Sequence, residues 1–173
     1  MNQTITTPIT KGLVLSLILI VIAIAVYFSG IDMNSEIKYL GYLVFFAGII
    51  FCISQYGKQI NYSSTFGNYF AHGFKISAIV TVIMIIFVVV FILLFPEFKD
   101  KAMEEARKNM HSNNLSEEQK DKYIEIGSKF FMTFAILGTL VWYIFLGAIA
   151  SLIGAAITKK NPNNFQQQID QIG

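Results

Sequence analysis

The sequence predicts an all-α fold: an integral membrane four-helix bundle carrying an amphipathic helical hairpin between its third and fourth spans. Three observations predict it. Four apolar runs, Leu13–Phe28, Tyr39–Gln55, Ile76–Phe95 and Phe130–Thr158, contain no charged residue, and a helical crossing of a bilayer needs about 20 mostly apolar positions. The chain is 54% hydrophobic with a mean hydropathy of +0.57, more apolar than the roughly 45–50% usual in soluble domains. Charge is gathered into one stretch, because the segment from Glu97 to Lys129 holds seven basic and eight acidic residues. Residues 1–160 therefore read as a single four-span domain with spans near 8–29, 37–56, 75–95 and 130–158, a hairpin over 97–129, and a disordered tail over 161–173.

The first span is expected to start at Pro8, which suits the first turn of a helix capped by Thr7. A cleaved signal peptide is the alternative. The apolar stretch exceeds the about 7–15 residues of a signal core, and Val26-Tyr27-Phe28-Ser29 offers no small-x-small cleavage site, so a retained anchor is expected. The short connection to the second span, 30–38, carries Asp32 and Glu36 and makes the first two helices an antiparallel hairpin. Cys52, the sole cysteine, falls inside the second run and is expected to act as a small buried apolar group.

Ser64 or Thr65 supplies the cap for the third helix. Phe66, Tyr69, Phe70, Gly73 and Phe74 then recur at helical spacing, with Asn68, His72 and Lys75 on the remaining surface. A helix from Phe66 to Phe95 would be about 45 Å long against a hydrocarbon core of about 30 Å, so its first two turns are expected at the headgroups or in water. Phe66, Tyr69, Phe70, His72 and Lys75 are accordingly the candidate lipid or ligand contacts, with plain interfacial anchoring as the simpler alternative.

Pro96 ends the third span. Glu97 with Lys101 and Glu104 with Lys108 stand at i, i+4 and support a helix to about Met110. After His111-Ser112-Asn113-Asn114, the run Ser116-Glu117-Glu118-Gln119 has the form of a capping box and starts a second amphipathic helix, with Gly127 as the place for a bend before the fourth span. In that span Gly147, Ser151 and Ala155 recur every four residues beside Ala150 and Gly154, a seam that admits another helix closely. The simplest partner is the second span, through Gly41 and Gly48; a homo-oligomer or a membrane-protein partner is the alternative. Trp142 and Tyr143 are expected to be core aromatics.

Orientation divides the rules. With the N-terminus inside, the cytoplasmic side carries Lys11, Lys58, Lys75, Lys159 and Lys160, whereas the outside carries Lys38 and the seven bases of the hairpin. That count favours the inverse topology, but the first span usually dominates and its basic flank is N-terminal, which predicts cytoplasmic N- and C-termini.

No mid-membrane ionisable group, nucleotide loop, nucleophile elbow or catalytic carboxylate pair is visible, so no catalytic residue, cofactor or enzyme activity is expected. A metal site at Asp100, Glu104 and His111 is geometrically conceivable on one helix face, but salt-bridged surface charge is the simpler account and no metal is expected. The net charge of +2, with bases and acids interspersed, argues against nucleic acid.

Thr65-Phe66-Gly67-Asn68-Tyr69-Phe70 with Gly73-Phe74, Pro96 before the charged segment, Ser116-Glu117-Glu118-Gln119 and the closing stretch from Gly147 to Lys160 together resemble domain-of-unknown-function family 4199 (DUF4199). The resemblance covers nearly the whole chain and implies an uncharacterised four-span inner-membrane protein of Bacteroidota, with no catalytic residues to carry over. The expected function is that of a non-enzymatic accessory or assembly partner of another envelope component. The alternative is a small transporter or lipid-binding protein that uses residues 66–74.

Overall fold

The computed structural model describes residues 5–30, 36–110 and 116–161. Among these the chain is wholly helical: α1 (Pro8–Phe28), a short 3₁₀ turn (Glu36–Tyr39), α2 (Leu40–Gln59), α3 (Phe66–Leu94), α4 (Glu97–Asn109), α5 (Glu117–Lys129) and α6 (Phe131–Ile157). Four of them, α1, α2, α3 and α6, are long and apolar enough to cross a membrane. The predicted break at His111-Ser112-Asn113-Asn114 and the predicted tail beyond Asn161 lie outside the described residues.

Local chemistry explains the helix ends. Thr7 accepts a hydrogen bond from the Thr10 amide at 3.2 Å with Pro8 in the first turn, and α1 closes at Ser29 with Gly30 in the left-handed region at φ +66°, where a side chain would be strained. The second helix runs to Gln59, three residues past the expected end, because the chain turns only at Asn61 and Tyr62, both left-handed, where the Tyr62 amide donates to the Gly57 carbonyl at 2.7 Å. Thr65 rather than Ser64 caps α3, accepting from the Asn68 amide at 3.3 Å.

The third helix is continuous over 29 residues, about 44 Å at 1.5 Å per residue. Its opening turns are not a separate segment lying at a surface. Tyr69, His72 and Gly73 are buried, and only Phe66, Gly67, Asn68 and Lys75 stand exposed.

Two compact units divide the chain: Met1–Ile83 with Trp142–Gly173, and Met84–Val141. In the first unit, small residues let four helices interlock. A Cβ at Gly147 would fall on the Ser77 side chain of α3 and within 3.3 Å of Phe45, and one at Gly154 would stand 2.6 Å from Ile53 of α2. Ser77 also donates to the Tyr143 carbonyl at 3.3 Å, pinning α3 to α6. The seam of α6 thus meets both α2 and α3. Beside Gly48 the nearest side chain is Leu15 of α1, and among the described residues nothing lies within 4 Å of the position a Gly41 Cβ would take.

In the second unit α4 and α5 pair as a hairpin. The capping box at Ser116 and Gln119 forms as the residue pattern requires. Arg107 bonds Asp121 at 2.7 Å and approaches Glu117 at 3.6 Å, while Lys120 bonds Glu117 at 2.7 Å. The bend before α6 comes at Phe130, not Gly127. Gly127 lies inside α5 instead, with the Met103 sulfur 3.4 Å from where its Cβ would be, so its small size serves the approach of α4.

Candidate functional site

The chemistry of the first unit collects at the end where α1 begins. Thr6 and Gln59 exchange two hydrogen bonds, Thr6 amide to Gln59 Oε1 at 3.3 Å and Gln59 Nε2 to Thr6 Oγ1 at 2.7 Å, tying the start of α1 to the end of α2. The Asn161 amide donates to the Tyr62 carbonyl at 3.1 Å, tying the end of α6 to the turn before α3. Four helix ends therefore meet there.

Just inside this collar lies a buried cation. Lys11 was expected to flank the first span, yet it is only 7% exposed. It belongs to the packed face of α1 with Gly12, Leu15, Ser16 and Leu19, at i, i+1, i+4, i+5 and i+8. Its Nζ donates to the Cys52 carbonyl of α2 at 3.0 Å and stands 5.9 Å from the centre of the Tyr56 ring. The Cys52 side chain is buried, as expected of it. Among the described residues no carboxylate forms an ion pair with Lys11.

Tyr56 joins this cation to α3. The His72 ring stacks on it in parallel, 3.9 Å between centroids at 6°, and Tyr69 meets it edge-on at 6.0 Å. His72 is 7% exposed and its Nε2 has no hydrogen-bond partner. Ser151 Oγ, fully buried on α6 and 2.8 Å from the position of a Gly73 Cβ, also has none. The Tyr69 hydroxyl likewise has no hydrogen-bond partner among the described residues.

The candidate contacts from the sequence divide accordingly. Tyr69 and His72 enter the buried cluster. Phe70 is half-buried and stacks on Phe74 at 5.7 Å; Phe66 is 41% exposed beneath the Lys160 ammonium, 5.4 Å away; Lys75 is exposed but within electrostatic range of His72. Of the seam residues, Gly147, Ser151 and Ala155 are buried. Tyr143 is buried against Phe45 at 4.8 Å, whereas Trp142 faces outward at 46% exposure, touching Tyr42 edge-on.

Charge at this end has one sign. Lys11, Lys58, Lys75, Lys159 and Lys160 gather here; of the unit's acids, Glu36 begins the 3₁₀ turn at the far end of α2, and Asp32 and Asp170 lie outside the described residues. Among the described residues no three His, Cys, Asp or Glu side chains converge as metal ligands, and His111 lies outside them.

Reading Lys11 as a flank missed its burial. The signal was its position on the same helical face as Gly12 and Ser16, the small residues that admit neighbouring helices. A buried cation with spare donors can hold an anion, and buried imidazole and hydroxyl groups are the kinds of donor that complete such a site. The family described as Protein of unknown function (DUF4199) matches residues 10–160. No curated protein and no solved structure matches the chain.

Proposed function

The chain belongs to the DUF4199 family, and from that premise we propose that it is a non-enzymatic, multi-pass protein of the bacterial inner membrane that binds a lipid or other amphiphile at the basic end of its first unit, with both termini cytoplasmic. One observation carries the reading. Lys11 is buried among spans where, among the described residues, no carboxylate pairs with it, beside a stacked Tyr56–His72 pair whose imidazole Nε2 has no partner among those residues. A charge buried in the packing without a counter-charge costs a few kcal/mol unless something compensates it, so a lysine held there is explained by a bound anion. Exposed apolar residues at the same end, Ile5, Ile9, Leu13 and Phe66, offer an acyl chain an apolar surface there.

The test is native mass spectrometry of protein extracted in mild detergent. Bound lipid is expected to survive extraction from the wild type and to fall in His72→Ala and Phe70→Ala. A protein that retains no lipid from a panel of phospholipids of differing headgroup would discard the reading. Lys122→Cys in a Cys52→Ser background tests orientation, with labelling by an impermeant maleimide expected only from the periplasmic side.

A second reading, an accessory role in an envelope assembly, is favoured by the α4–α5 hairpin, whose Arg107 bridges to α5 in the charged segment. Pull-down from native membranes in mild detergent is expected to recover a specific envelope protein with wild type and less of it when residues 97–129 are replaced by a flexible linker. A protein recovered alone would count against it.

A further inference from the structure

The ligand class can be named from the same cluster. Resting on the amphiphile-binding reading, we infer that the buried Lys11 ammonium is the counter-charge for the phosphate oxyanion of a net-anionic membrane lipid, seated where α1, α2, α3 and α6 meet at the basic end.

Three independent features point to an anion. Lys11 spends one of its three ammonium protons on the Cys52 carbonyl at 3.0 Å, and among the described residues neither a carboxylate nor a second acceptor takes the others. His72 Nε2 and Ser151 Oγ, on side chains at least nine-tenths buried, have no hydrogen-bond partner. Both can donate to an oxyanion, the imidazole in its Nε2-protonated tautomer. Lys75 follows His72 by three residues on the same helix, and among the described residues no acid stands at this end to compete. A zwitterionic headgroup such as that of phosphatidylcholine brings its own cation into the low-dielectric setting beside Lys11, whereas a phosphate with no headgroup ammonium neutralises Lys11 and accepts its spare protons without burying a second positive charge.

Free phosphate offers the same chemistry without a chain. The lipid is favoured because Lys11 stands in the first turns of a helix apolar enough to cross a membrane, so a headgroup at that level brings its acyl chain alongside the span and gains apolar contact that an inorganic ion lacks.

The experiment uses the full chain in nanodiscs of phosphatidylcholine with or without phosphatidylglycerol, read by native mass spectrometry, with inorganic phosphate as a separate arm. Wild type is expected to enrich phosphatidylglycerol about tenfold over phosphatidylcholine, Lys11→Met to lose that enrichment, Lys11→Arg to keep most of it, and Lys58→Gln, at an exposed lysine of the same end, to leave it unchanged. Should Lys11→Met not fold, Lys11→Gln removes the charge while keeping a donor for the Cys52 carbonyl.

Phosphate that binds in a Lys11-dependent way and displaces no lipid would overturn the lipid source. Lipid bound equally whatever its charge, or enrichment indifferent to Lys11, would overturn the inference while leaving amphiphile binding standing. Failure of wild type to bind any lipid would remove both.

Discussion

The two halves of α6 are equally fit for a membrane and quite unlike as packing surfaces. From Tyr143 onward Gly147, Ala150, Ser151, Gly154 and Ala155 are buried against neighbouring helices. Between Phe131 and Val141 no residue is buried; Phe134, Leu137, Leu140 and Val141 are exposed, and nothing lies within 4 Å of where a Gly138 Cβ would be. The third helix divides similarly. Tyr69, His72, Ile76, Ser77, Val80 and Thr81 are buried in one half, whereas Ile86, Val90, Leu93 and Leu94 are exposed in the other. Apolar character decides that a helix belongs in lipid; small and hydroxyl-bearing residues decide where helices touch.

The largest expected effect tests that contrast with one substitution made twice. Gly147→Leu drives a side chain into Ser77 and Phe45 and should destabilise the fold by about 2–3 kcal/mol or more. Gly138→Leu meets open space and should stay within about 0.5 kcal/mol. Equilibrium unfolding in detergent micelles checks both. Equal losses would mean that the half of α6 around Gly138 is packed as tightly as the half around Gly147.

Ser77→Ala sharpens the comparison at a single bond. Its hydroxyl reaches across to the Tyr143 carbonyl at 3.3 Å, whereas Thr139 bonds only the Ala135 carbonyl of its own helix at 2.8 Å. An interhelical hydrogen bond in a membrane protein averages about 0.6 kcal/mol, so Ser77→Ala should lose about that much. Thr139→Ala should lose nothing measurable by the same unfolding assay.

In the hairpin the interactions are weaker still, since water screens them. Arg107→Gln removes the bonds to Asp121 and Glu117, all on side chains that are 44–65% exposed. It should cost about 0.2–1 kcal/mol, seen as faster amide exchange in α5, and 1 M salt should erase most of the difference from wild type. The Gly127 contact to Met103 involves no charge and should be indifferent to salt.

Much of this division was legible in the residues. The four spans, the Thr7 and Ser116 caps and the hairpin follow from apolar runs and capping patterns, which are local properties. What escaped depends on rotation about a helix axis. Lys11 looks like any basic flank until α1 is turned so that it shares a face with Gly12 and Ser16. The opening turns of α3 look interfacial in the residue pattern, and Phe66 and Lys75 are exposed, yet Tyr69 and His72 between them are buried in the packing. Gly41 and Gly48 suggested a matching seam on α2; only the three-dimensional arrangement shows that Leu15 occupies the space beside Gly48. Gly138 carried its own warning, because Phe134 and Trp142 stand four residues to either side and leave no small-residue repeat.

The smallest effect concerns acid. Glu104 is fully exposed, and its hydrogen bond to Lys108 at 2.8 Å, reinforced by the lysine's charge, lowers its pKa below the ordinary carboxylate value of 4.5. A depressed carboxylate pKa favours the folded helix above the unfolded value and loses that contribution as pH falls through the lower, folded one. The helicity of α4 should therefore be flat from pH 8 to about pH 5 and decline only in more acidic solution. Glu104→Gln should abolish the part of the decline due to this pair, measured by amide exchange across residues 97–109. A change centred near neutral pH would instead implicate a group that titrates there, and would mean that the charged hairpin is not governed by its surface ion pairs alone.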